Sequence, residues 1–533
     1  MDEPLGAREY HERTKHSPRS VRESGRRLDF DNKPSPYKRY RDLHGVSLPD
    51  DPAAPAVPAL EAIAVSDPRP PVSPPFPETP GALDRETLAS LCHHACGVTK
   101  HLEFPDRTKA FRAAACTGAL YHVDCYPVCG PLGDLDAGVY HYDPEHHRLD
   151  VLRPGDRRDR LAEATGSDRV RSAPVTVVTT STWWRNAWKY AERTFRHAFW
   201  DSGTVVANLL ATAHGFGLPA EVELGFADEP VVELLGLDVA EEAPLELVTV
   251  GEGSDSSTRD AGATDEPEPS ETTAESDIAP IDPDVAPYSP DPVAYPAIPA
   301  AWRAGVLDDG GAAAAWRETA TETGPVGRRA PGDGERIPLD PVDRETASAR
   351  PLGTTIQRRG SCREYAREDL SFRKLSTVLD RAFRGLPLAL TADHDAILSY
   401  NDPYLLVNGI EGLESGVYQY HPEREALEQL RAGECRDEAG HLALGQRLGA
   451  DAAVCAYFMT DLGAVVEALG DRGYRAAQFE AALTAGRLYL ATYAHRDLGG
   501  TGLTFFDDAV TDFLSPRAAG QTPTFLYTLG RPA

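Results

Sequence analysis

The sequence predicts an α+β protein made of two similar units in tandem, and three observations carry that reading. Composition comes first: 41 % of the 533 residues are hydrophobic. That is enough for packed cores, and the length suits two to four domains at roughly 100–200 residues each. Internal repetition comes second. Gly138-Val139-Tyr140-His141-Tyr142 matches Gly416-Val417-Tyr418-Gln419-Tyr420 at an offset of 416 − 138 = 278. The match runs on without a gap through Leu149/Leu427, Leu152/Leu430, Arg153/Arg431 and Gly155/Gly433. Phe195-Arg196 then meets Tyr474-Arg475 at an offset of 279, as Pro244-Leu245 and Gly251 meet Pro523-Thr524 and Gly530. A register held this long marks a duplicated domain of roughly 200 residues, too long a period for a solenoid. The third observation is element order: helices and strands mix without a regular βα alternation, which indicates α+β.

Residues 1–80 read as an N-terminal extension with a Pro-rich stretch over 48–80. Residues 81–251 form the first domain, 252–283 a linker, 284–350 a loop-rich lead-in and 351–533 the second domain. The linker is almost wholly Ser, Thr, Asp, Glu, Gly, Ala and Pro, a composition that buries too little apolar surface to offset ordering entropy. Each domain opens with a helix (83–96; 370–384), followed by strands around Asp124–Val128 and Asp402–Val407. A Tyr-rich hairpin strand comes next, then a long apolar helix near 186–216 and 473–494. Alternating side chains mark a closing strand at Leu245–Val250 and Thr524–Leu529.

The net charge is −29, and only seven of 54 basic residues are lysine (15, 33, 38, 100, 109, 189 and 374). Self-repulsion of that size is screened at molar salt, where the Debye length falls to about 3 Å, so the chain reads as adapted to high salt. A nucleic-acid partner is not expected, since that needs a basic footprint. There is no run of ~18 apolar residues for a membrane span and no secretory signal, so the expectation is a cytoplasmic protein. The eight cysteines are too sparse for a disulfide framework. Cys92/Cys96 and Cys125/Cys129, with His93 and His94 between the first pair, have a spacing conceivable for zinc. They read better as small hydrophobes on a buried face, and no metal is expected.

Arg358-Arg359-Gly360-Ser361-Cys362-Arg363 places three guanidiniums around one hydroxyl, ahead of the helix of the second domain. Bidentate forks and charge-assisted hydrogen bonds suit that cluster to a phosphate; a solvated basic turn is the plain alternative. The segment resembles the flavin-phosphate motif of the nitroreductase superfamily. The first domain resembles the SagB-type (ThcOx-like) FMN-dependent dehydrogenases of that superfamily, through Thr117-Gly118-Ala119-Leu120-Tyr121, Gly138–Tyr142 and Ala187-Trp188-Lys189-Tyr190-Ala191-Glu192-Arg193-Thr194-Phe195-Arg196. Tyr10–Pro18 also resembles the opening of that branch. The resemblance implies two nitroreductase-like domains, each a mostly antiparallel sheet flanked by helices. It also implies FMN between them, with a phosphate cradle from one and a small-residue loop from the other.

The two halves keep different parts. An offset of 287 sets Pro71–Phe76, without a positive charge, opposite Arg358–Arg363. At 278, Asp395-Ala396-Ile397-Leu398-Ser399 stands opposite Thr117–Tyr121. One complete site is therefore expected, in an intramolecular pseudo-dimer that needs no second chain. Arg358, Arg359, Ser361, Arg363 and Arg531 would hold the phosphate; Thr117, Gly118 and Ala119 would lie against the ring. Gly499, Gly500, Thr501 and Gly502 would let backbone N–H groups approach it, where the first-half counterpart Leu218-Pro219-Ala220-Glu221 would not.

Lys189 and Tyr190 face Ala468 and Leu469 in the second half, so this pair also exists once. The resemblance implies a catalytic role, with a desolvated lysine acting as base and the phenol beside it. A surface lysine and a packing tyrosine are the plain alternative. Arg193 and Arg196 read as a solvated face. The expected activity is two-electron hydride transfer through flavin N5, on a small molecule or a peptide-borne heterocycle. The alternatives are an NAD(P)H-dependent reductase and a flavin- or peptide-binding scaffold without turnover.

Overall fold

The protein is described by a computed structural model, which covers residues 4–64, 83–104, 107–252, 278–332, 334–343, 350–386, 388 and 400–533. The stretches set opposite the cradle (Pro71–Phe76) and opposite the small-residue loop (Asp395–Ser399) lie outside the described residues, as does most of the acidic linker.

Two seven-stranded antiparallel sheets organise the chain. In spatial order the first runs Gly45–Ser47, Arg148–Pro154, Gly138–Asp143, Val123–Cys129, Val175–Thr182, Glu242–Val250 and Ala220–Glu223. The second runs Arg336–Pro338, Ala426–Ala432, Gly416–His421, Asp402–Val407, Val454–Thr460, Thr522–Gly530 and Gly499–Gly502, the same order strand for strand. The expected α+β class is what the structure has. The opening helices Arg85–Cys96 and Phe372–Phe383 stand 372 − 85 = 287 apart, the spacing read from sequence. Each starts on a side-chain cap, Asp84 accepting from the Thr87 N–H and Ser371 from that of Lys374.

Three differences have local causes. The helix expected over 186–216 is broken: Trp183–Tyr190 ends at Ala191 (φ 50°, ψ −135°), and a long buried helix restarts over Thr194–Gly215. Its counterpart Leu462–Ala494 kinks at Gly470 (φ 65°), 279 residues on. The loop-rich lead-in contains a helix, Gly310–Thr323, which Asp309 caps through the Ala312 N–H and a run of alanines favours. The counterpart of Gly499–Gly502 is shifted by one residue. Gly499 pairs with Gly530 while the Gly251 N–H bonds Pro219, so Pro219–Val222 is the equivalent stretch.

The two long helices pack against each other at the centre, and Gly203 is part of the reason. A Cβ there would fall 2.6 Å from the Ala482 side chain. Two ion clusters pin the halves together. Asp507 of the second half is fully buried with Arg193 and Arg196 of the first, at 3.1 and 2.7 Å. Asp228 of the first meets Arg472 and Arg475 of the second at 2.6 and 2.7 Å. All three positions repeat at an offset of 279. The solvated face expected for Arg193 and Arg196 is therefore corrected: the helix break turns them inward, where a buried carboxylate compensates their charge. Cys92, Cys96, Cys125 and Cys129 are core residues, with the Cys96 and Cys125 sulfurs 3.5 Å apart. No helix among the described residues is long and apolar enough to cross a membrane.

Candidate active site

The loop entering strand Val123–Cys129 has an unusual backbone. Gly118, Ala119 and Tyr121 all have positive φ (66°, 52° and 52°), a conformation that costs of order 1–3 kcal/mol at a non-glycine residue unless its surroundings over-determine it. Here Asp201 of the first long helix does so. Its carboxylate accepts from the Thr117 N–H (2.9 Å), the Thr117 hydroxyl (2.8 Å) and the Cys116 thiol (3.0 Å), and its Oδ2 lies 2.8 Å from His122 Nε2. Burial, then the Asp201 charge, pushes the Cys116 thiol far up, so it stays a donor.

Tyr190 backs this loop. A Cβ on Gly118 would lie 2.8 Å from the Tyr190 hydroxyl, so only glycine leaves room for that contact. The Tyr190 ring stands edge-on to His197 at 4.6 Å. Burial first, then Asp201 and Cys116, raises its phenol pKa, and the hydroxyl keeps its proton. Lys189, next to it, is exposed. Partial desolvation, followed by the like charges of Lys33 and Arg363, holds its ammonium below the usual lysine range.

The Arg-rich segment follows helix Leu352–Arg358. Arg359 reaches across to the first half, donating from Nε to the Ala113 carbonyl (2.8 Å) and from Nη2 to that of Arg112 (3.1 Å). Arg358 and Arg363 are exposed and make no ion pair with the described residues.

A cavity of about 720 Å³ lies between the halves. The first half lines it with Thr117, Gly118, Ala119, Lys189 and Tyr190, and the second with Arg358, Arg359, Ser361, Arg363, Thr501 and Gly502. Eleven of the fourteen residues singled out from sequence thus meet at one space. Arg531 does not line it; its guanidinium pairs with Glu368 (2.6 Å) and Asp497 (3.1 Å), acidic neighbours that hold it away. Gly499 and Gly500 lie behind the wall. A Cβ on Gly499 would crowd Pro532 and Cys362, and one on Gly500 would meet the Tyr527 hydroxyl. Their glycines let the edge strand sit against the cradle. The Gly502 N–H donates to the Tyr489 hydroxyl at 2.6 Å.

Sequence reasoning missed Asp201, Arg112, Trp200, Tyr489, Thr504 and Phe525, all of which line the cavity. One signal was available: Asp201 repeats as Glu480 at 279, an acid inside an otherwise apolar helix. Glu480 accepts from the Tyr400 and Asn401 N–H groups, on the loop that enters the corresponding strand. Seven cations (Lys100, Lys109, Arg112, Lys189, Arg358, Arg359 and Arg363) and one carboxylate (Asp201) line the cavity. Among the described residues Thr504 Oγ1 and Arg112 Nε are buried there without a protein partner.

Known proteins share this chain's fold and part of its sequence. Residues 80–252 match the Nitroreductase family. The crystal structure of a putative nitroreductase from Anabaena variabilis superimposes with a TM-score of 0.75 at 26 % identity, covering 100 % of both chains. "Putative nitroreductase MJ1384" of Methanocaldococcus jannaschii is 28 % identical over 186 residues, 34 % of this chain and 90 % of that protein. The "Trifolitoxin-processing protein TfxB" of Rhizobium leguminosarum bv. trifolii is 26 % identical over 178 residues, 32 % of this chain and 48 % of its own length. With residues 80–252 matched and the chain sharing the fold of the Anabaena protein, the protein carries a nitroreductase family domain within a nitroreductase-like architecture.

Proposed function

We propose that this chain is an FMN-dependent oxidoreductase with a single site between its halves. The observation that carries this reading is the shared cavity, where the Arg358/Ser361/Arg363 cradle of one half faces the Thr117–Ala119 loop of the other. The cavity residues fit FMN on three counts. The volume lies within the ~300–1,000 Å³ of small-molecule sites. Among the described residues Arg358 and Arg363 have no counter-ion, as a phosphate site needs. Among the described residues Thr504 Oγ1 and Arg112 Nε are buried polar atoms without partners, the state a polar ligand relieves. The repeated strand order and offsets support a tandem duplication, and the buried interface between halves supports a monomer. The −29 charge supports a high-salt medium.

Arg358, Arg363 and Ser361 would hold the phosphate, with Arg359 closing the wall against the first half. Thr117, Gly118 and Ala119 would support the ring, fixed by Asp201 and Tyr190. Bound there, FMN supplies two-electron hydride chemistry at N5. Lys189 Nζ, as the free amine, takes a proton from the substrate, and its lowered pKa makes that form more available. Tyr190 keeps its phenolic proton and donates a hydrogen bond. The likeness to TfxB, together with the Lys189–Tyr190 pair, supports a peptide-borne heterocycle as substrate over NAD(P)H-driven reduction.

Absorption spectra and released FMN per chain, measured on protein purified in multimolar KCl, test the reading. One FMN per chain is expected, falling well below one in Arg358→Ala/Arg363→Ala. Two per chain would contradict the single site, and none after reconstitution would contradict the cofactor.

A further inference from the structure

A two-stranded hairpin, Val98–Phe104 with Arg107–Arg112, stands at the cavity apart from the cradle. Its register pairs Lys100 with Phe111 and Leu102 with Lys109. Side chains alternate across a strand, so these four share one face while His101/Ala110 and Glu103/Thr108 share the other. All four residues of the first face line the cavity, as do Thr99 and Arg112 beside the register irregularity at the end of the hairpin, while His101, Ala110, Glu103 and Thr108 do not. Two ammoniums and two apolar side chains are therefore turned inward together, with Lys109 Nζ 4.8 Å from the Phe111 ring centroid.

Residue choice strengthens the point. Lysine is scarce in this chain, seven of 533 residues, yet three of the seven (Lys100, Lys109 and Lys189) line this one cavity. The surrounding protein is strongly acidic, and against that background a mostly cationic cavity attracts anions selectively. Lys100 and Lys109 line the same cavity from a segment separate from the Arg358–Arg363 cradle.

Resting on the reading of the cavity as an FMN site, we propose that the inward face of this hairpin selects substrates with a carboxylate on an apolar or aromatic body. Lys100 and Lys109 receive the carboxylate, and Leu102 and Phe111 receive the body. The carboxylate can come from a free acid or from an acidic residue of a peptide.

The test titrates the FMN-loaded protein with two matched pairs, following the flavin spectrum. One pair is 4-nitrobenzoate and neutral 4-nitrobenzamide; the other is N-acetyl-Asp-Phe amide and N-acetyl-Asn-Phe amide. The expected result is roughly tenfold tighter binding of the acid in at least one pair, lost in Lys100→Gln/Lys109→Gln with FMN content unchanged. The pair that shows the preference identifies the source of the carboxylate. Equal binding of acid and amide in both pairs, or a preference that survives the double substitution, overturns the proposal. FMN loss in the double variant also overturns it, assigning the lysines to the cofactor. If the wild-type chain binds no FMN, the cofactor reading fails separately, and the same titrations are followed by the fluorescence of Trp200 in the cavity wall.

Discussion

Lys189 has the properties of a proton acceptor: exposure to the cavity, Tyr190 beside it, and a pKa lowered first by desolvation and then by Lys33 and Arg363. Lys189→Met should retain FMN yet lower turnover by about 10²–10⁴-fold. Because the ammonium must lose its proton, wild-type rate should climb with pH through a value below the usual lysine range. The variant should lose that limb, and an unchanged profile would exclude the role. Glu246 makes a different residue-scale prediction. It is fully buried between Thr179 and Ser202 hydroxyls, and burial outweighs those bonds to raise its pKa to about 8. A carboxyl raised in the fold contributes full stability below its unfolded pKa and loses it as pH rises toward the folded value. Tm of Glu246→Gln relative to wild type should therefore increase from pH 5 to pH 8 and then level off. A difference that does not change with pH would refute the shift.

At the scale of elements, the cavity depends on two backbone irregularities. The Thr117–Tyr121 loop keeps its positive φ values through four contacts to Asp201. Replacing Asp201 with Asn should cost about 1.5–3 kcal/mol in denaturant unfolding and weaken FMN binding in parallel. Loss of FMN affinity without destabilisation would instead indicate direct contact. The helix break at Ala191 puts a residue with a Cβ at φ 50°, where the second half uses Gly470. Ala191→Gly should be stabilising by about 1 kcal/mol, since it relieves the strain; a destabilised variant would mean that the Ala191 methyl packs productively.

Across the whole molecule, the two Arg–Asp–Arg clusters join the halves at pseudo-equivalent positions. Burial raises the Asp507 pKa, but Arg193 and then Arg196 overcome it and hold the carboxyl well below the usual range. Its contribution is present above the unfolded pKa and lost as pH falls through the folded one. Asp507→Asn should cost about 3–5 kcal/mol by leaving two guanidiniums uncompensated. Calorimetry at neutral pH would show this as a lower Tm, with a smaller difference from wild type toward strongly acid pH.

Much was legible in the amino-acid sequence alone. The α+β class, the repeat offsets of 278, 279 and 287, the opening helices and the closing strands follow from apolar periodicity and spacing, which are local. The Arg358–Arg363 cluster, the Thr117–Ala119 loop and the Lys189–Tyr190 pair were visible because each is a short contiguous run. The three-dimensional fold decided what depends on partners distant in the chain. Arg193 and Arg196 are buried because Asp507 waits more than three hundred residues away. Arg531 leaves the cradle because Glu368 and Asp497 compete for its charge. Asp201 and the hairpin lysines belong to the cavity through packing and register alone. Charge on a side chain can be read from one residue, but where that charge is neutralised depends on which segments fold against it.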